Sequence, residues 1–171
     1  MNLEQILILC VVVVLGTSLI GSYVPIIKDY TNHDYWVGTS TSSRKLFYVC
    51  WVLAAFGFVS YIIPQLVRPL QHRQGVLSYR PWIKPLLLCI ILISSMFWSL
   101  GIYMYFNANW SKVWSVIPLI LVAGTTLVLL AGEAQTNAPW YRLLSLMCFA
   151  VTVVLIDPTM WTGSFILFEK E

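Results

Sequence analysis

One run of 22 uncharged residues, Leu46–Val67 (LFYVCWVLAAFGFVSYIIPQLV), limits this chain more than any other feature. At about 1.5 Å rise per residue, a helix of that length crosses a hydrocarbon core of about 30 Å. Basic residues flank it, Arg44 and Lys45 before and Arg68 after. Four further apolar stretches surround it. The spacing predicts an all-α integral membrane bundle of about five transmembrane helices, over residues 3–27, 46–67, 85–106, 113–131 and 140–156, in a single domain covering 1–171. Of the 171 residues, 59% are hydrophobic and 10% charged, a balance that cannot cover a water-facing surface and leaves no length for a separate soluble domain. The lipid bilayer is the first partner implied. The net charge of +3 is spread over every link, and no basic tract points to nucleic acid.

Several features read as packing. The first span has no basic leader, and Glu4 sits where a signal peptide would carry Lys or Arg. Thr17 and Gly21, and Ser18 and Ser22, are each four residues apart and form a small-residue face for another helix to approach. In the second span Tyr48, Trp51, Ala55 and Phe58 share a face, and Ala54, Gly57 and Ser60 leave room for close contact. Cys10, Cys50, Cys89 and Cys148 lie singly in four different apolar stretches and behave as small hydrophobes rather than as a disulfide framework. Glu133 is read as the end of the fourth span. Asp157-Pro158 is read as a break or kink near one interface, followed by an interfacial tail over 158–168. Counting Lys and Arg on the two sides gives five against five, so the positive-inside rule leaves the orientation tied.

The missing chemistry narrows the function. His33 and His72, the two histidines, lie in links, so this chain alone offers no intramembrane bis-histidine haem site. His33 and the adjacent Asp34 are too few for a metal site. No charged residue lies near the middle of the first four spans, which argues against a pump or a charged-solute transporter. No Ser/His/Asp set, HExxH or glycine-rich phosphate loop occurs, and the chain is read as no enzyme.

What remains is aromatic richness: eight Trp and nine Tyr. Trp36, Trp82, Trp110, Trp140 and Trp161 fall at span ends, as an interfacial belt requires. Trp51 and Trp98 lie inside spans. They are the candidate walls of a pocket for a flat apolar ligand, with Ser95 as a hydroxyl and Tyr35 and Trp36 of the long first link as a lid.

This layout resembles the tryptophan-rich TspO/translocator family. Trp51 in Phe47-Tyr48-Val49-Cys50-Trp51-Val52-Leu53 is similar to that family's Val-Trp-x-x-Leu-Tyr in helix two. Trp98 in Met96-Phe97-Trp98-Ser99, followed by Tyr105-Phe106, is similar to its Asn-x-x-Trp-x-x-x-Phe-Phe in helix three. The resemblance implies binding of a tetrapyrrole or sterol beneath the first link. The family's Lys-Pro-x-Trp-x-Pro-Pro before helix two has no counterpart there; Arg80-Pro81-Trp82-Ile83-Lys84-Pro85 precedes the third span instead. Two functions follow from the sequence. The first is an accessory, non-catalytic subunit of a larger membrane complex, with other membrane subunits or a second copy as partner. The second is binding or transport of a flat hydrophobic ligand, a tetrapyrrole or a sterol, with a tetrapyrrole or a bound lipid as the one cofactor the chain would hold.

Overall fold

The computed structural model describes residues 2–29, 41–67, 82–135 and 139–159. They form α1 (Leu3–Ser22), α2 (Val24–Asp29), α3 (Thr41–Val67), α4 (Ile83–Ala108), α5 (Val113–Gln135) and α6 (Trp140–Val151), the last continued by a π-helical turn, Thr152–Ile156. Four helical segments are long and apolar enough to cross a membrane: Leu3–Asp29, Arg44–Val67, Ile83–Ala108 and Val113–Gln135. The fifth, Trp140–Ile156, is apolar but shorter. The protein is a multi-pass integral membrane protein. Its outward faces carry Leu, Ile, Val and Phe side chains, which is the surface lipid requires.

The principal packing pairs are α4 with α5, α3 with α6, and α1 with α4; α5 also meets α6, and α1 touches α3 more lightly. The chain therefore closes in the order α1, α4, α5, α6, α3. Two glycines set the closest approaches. A Cβ on Gly57 of α3 would lie 2.6 Å from the Ser145 carbonyl oxygen of α6. One on Gly101 of α4 would lie 2.7 Å from the Trp114 carbonyl oxygen of α5. Ser22 and Ser99 share a 2.6 Å hydrogen bond that ties α1 to α4.

The helix ends depart from the sequence expectation for identifiable reasons. The first span breaks at Tyr23, because Pro25 in the next turn has no N–H to continue the ladder. Asn2 and Gln5 form a reciprocal cap at the start of α1. The Gln5 side-chain amide then donates to the carbonyls of Gln65 and Leu66, two of the last acceptors of α3. Pro64 is carried inside α3, and the Gln65 side chain donates to the Tyr61 carbonyl just before it. The fourth span runs on to Gln135 rather than stopping before Glu133, which is fully buried. No break occurs at Pro158: the backbone widens into the π turn before it and stays helical to Thr159. The tail over 158–168 lies outside the described residues beyond Thr159. The four cysteines are separate thiols.

Candidate functional site

Tyr23 at the end of α1, Trp51 in the first half of α3 and Trp98 in the second half of α4 reach the same level of the bundle, because these helices run alternately up and down. Their rings meet edge to face: Tyr23–Trp51 at 5.5 Å, Trp51–Trp98 at 6.1 Å and Tyr23–Trp98 at 6.4 Å between centroids. Such contacts place ring edges against ring faces and fix the three rings relative to one another. They wall a cavity of about 580 Å³, within the usual range for small-molecule sites. Leu119 and Val122 of α5 and Val153 of the π turn complete its apolar lining.

The polar groups on the cavity wall are few. Ser95 donates its hydroxyl proton to the Ile91 carbonyl, and Thr152 donates to the Cys50 carbonyl of α3. Both hydroxyls are thereby spent on backbone. Asp157 is the one carboxyl group among the described lining residues, and no Lys, Arg or His accompanies it there. It is 6% exposed, and among the described residues its Oδ1 has no hydrogen-bond partner, while the Trp51 side chain serves as donor to the carboxyl group.

Of the residues singled out from sequence, Trp51, Ser95 and Trp98 line this one cavity. Tyr35 and Trp36, the expected lid, lie outside the described residues. On α1, Ser22 packs against α4, whereas Thr17 and Ser18 are bonded to their own helix through the Val13 and Val14 carbonyls. Gly21 is exposed, and a side chain added to it would meet nothing within 4 Å. Tyr23 and Asp157 were not anticipated as wall residues.

A second polar assembly, also unanticipated, sits at the opposite end. Glu133 of α5 accepts from Lys84 of α4 at 2.8 Å and from the Tyr61 hydroxyl of α3 at 3.0 Å. Arg142 of α6 lies 3.8 Å from the same carboxylate oxygen, with its guanidinium 5.8 Å from the centre of the Tyr61 ring. All four side chains are buried. A buried carboxylate between two cations is stable only as a set, since each charge has given up water and depends on the others. This assembly joins α3, α4, α5 and α6 at one level. Among the described residues no group of three or more His, Cys, Asp or Glu side chains could hold a metal ion.

No family model, no curated protein and no solved structure matches this chain.

Proposed function

We propose that the protein binds a flat hydrophobic ligand within the plane of the membrane, in the cavity walled by Tyr23, Trp51 and Trp98. The observation that carries this reading is the cavity itself. A purely structural bundle gains by filling such a space with side chains, because close packing is what holds helices together in lipid. Here three aromatic rings are locked against one another around about 580 Å³ that they do not fill. The two tryptophans that carry the TspO/translocator resemblance both line this space, and on that basis a tetrapyrrole or a sterol is the ligand shape proposed. This places ligand binding ahead of the accessory-subunit reading that the sequence alone favours.

The test is binding by the purified protein in phosphatidylcholine nanodiscs. Protoporphyrin IX and dehydroergosterol, titrated separately, are expected to quench tryptophan fluorescence saturably for at least one of the two. Trp98→Ala should weaken that binding about tenfold. Absence of saturable quenching with both ligands would overturn the reading.

The subunit reading keeps one supporting observation. Gly16 and Gly21 of α1 face open space, beside the exposed Thr17 and Ser18, and form a small-residue face on which none of the described residues packs. Under that reading Gly21→Leu lowers incorporation into a larger particle on native electrophoresis of the source membrane, and unchanged incorporation rejects this face as the interface.

A further inference from the structure

We propose that the ligand of this cavity carries a protonated amine, and that Asp157 is its counter-ion. The proposal rests on the reading of a flat-ligand cavity above and sets the tetrapyrrole or sterol aside for one chemical class: a cationic amphiphile with a flat apolar body and a single ammonium group.

The argument starts from the cost of the carboxyl group. An acidic side chain held in an apolar, membrane-embedded space is expensive, and such residues usually pair with a specific partner or serve a site. Glu133, at the other end of the bundle, has two cations and a phenol. Asp157 has the Trp51 indole, and its Oδ1 is left over, pointing to an acceptor in want of a donor. Ser95 and Thr152 give their protons to carbonyls, and among the described residues no other donor on the wall, the Tyr23 and Tyr48 hydroxyls and the Trp98 indole included, is bonded to Oδ1. An occupant of the cavity can supply that donor.

The walls decide between occupants. A metal cation of the Mg²⁺ or Ca²⁺ type needs six or more oxygen ligands, and one carboxyl group with two committed hydroxyls falls far short. A neutral alcohol could donate one hydrogen bond but would leave the charge uncompensated. An alkylammonium donates and neutralises together, giving a charge-assisted hydrogen bond. Tyr23, Trp51 and Trp98 wall the same space, and an aromatic face within about 6 Å of an ammonium favours it further. Position agrees with this. Asp157 is fifteen residues beyond Arg142 on one continuous helical segment, about 23 Å along the axis, and so lies towards the opposite membrane face from the ion cluster. An amphiphile seated with its head at Asp157 and its flat body against Leu119, Val122 and Val153 has the polarity gradient of the bilayer itself.

The experiment uses a matched pair of flat fluorescent probes, 1-pyrenemethylamine and 1-pyrenemethanol. Each is titrated into the protein in uncharged phosphatidylcholine nanodiscs, with energy transfer from tryptophan as the signal. The wild type should bind the amine at least about tenfold more tightly than the alcohol, the usual scale of a hydrogen bond to a charged group. Asp157→Asn should bring the amine down to the affinity of the alcohol and leave the alcohol unchanged, which also reports an intact cavity. Equal affinity for the two probes in the wild type, or a preference that survives Asp157→Asn, would overturn the counter-ion role while leaving ligand binding standing. Failure of both probes to bind the wild type would overturn this proposal, and the reading beneath it falls with it only if protoporphyrin IX and dehydroergosterol fail to bind as well. Should Asp157→Asn lose the alcohol as well, Asp157→Glu decides: a retained amine preference supports the role, and equal affinities reject it.

Discussion

At one end of the bundle Glu133 meets Lys84, Arg142 and the Tyr61 hydroxyl, all buried and drawn from four helices. At the other end Asp157 meets an indole and an unfilled space. Both carboxyl groups are withdrawn from water, at 0% and 6% exposure, yet among the described residues only the first has cations against it. The difference separates two uses of a buried charge. Where partners are supplied internally, the charge fixes which helices lie side by side. Where they are not, it is available to something from outside. On this comparison the Glu133 end holds the bundle together and the Asp157 end serves binding.

The comparison can be broken, starting with its largest consequence. Glu133→Leu strands two cations in the interior and is expected to cost about 3–5 kcal/mol, the usual price of orphaning a buried ion pair. The midpoint of thermal unfolding in mild detergent, followed by size-exclusion chromatography, should fall sharply; an unchanged midpoint would deny that this end holds the helices together. Next comes the contact that lies between the two ends. Gly57→Val drives a side chain into the Ser145 carbonyl and should cost about 3 kcal/mol, whereas Gly124→Val, which meets nothing within 4 Å, should be neutral in the same assay. Equal effects of the two would reject the α3–α6 approach. Tyr61→Phe removes one hydrogen bond to the carboxylate but keeps the ring under Arg142, so a loss of about 2 kcal/mol is expected. The smallest effect belongs to the other end. Asp157→Asn should leave the unfolding midpoint unchanged or slightly raised, because a buried charge without a partner charge contributes nothing to hold the fold. A fall as large as that of Glu133→Leu would erase the distinction between the ends.

The membrane class and the course of the helices were legible in the sequence, since long uncharged runs admit no other solvent. The ion cluster is legible in principle. On α5 the buried residues Ser115, Leu119, Val122, Thr126, Leu129 and Glu133 advance by four and three in turn. On the last helix Arg142, Leu146, Ala150, Val153 and Asp157 advance by four, four, three and four, and on α4 Lys84 continues the row of Leu88, Ile91, Trp98, Ile102 and Tyr105. A charge on the inward row of a helix is an interior charge. Read only as lying at a span end, Glu133, Lys84 and Arg142 look like interfacial anchors. Tyr23 could not be read as a wall residue in the same way. It joins Trp51 and Trp98 only once α1, α3 and α4 are set side by side, and one-dimensional spacing carries no record of which helices touch.

The placement of the three charges within their helices has a further consequence. Lys84 lies in the first turn of α4 and Arg142 in the first turn of α6, while Glu133 lies in the last turn of α5. Each therefore stands at the pole of its own helix macrodipole that repels it, since helix N-termini are partly positive and C-termini partly negative. No one of these helices gains from its own charge when it enters lipid alone. The α4 segment carries an unfavourable cation until α5 brings the carboxylate beside it, and α6 faces the same penalty until it docks. Release of these penalties is deferred to assembly, so α4, α5 and α6 become stable in the bilayer as a set, and an arrangement that joins the wrong helices leaves at least one charge against an opposing dipole with nothing to offset it.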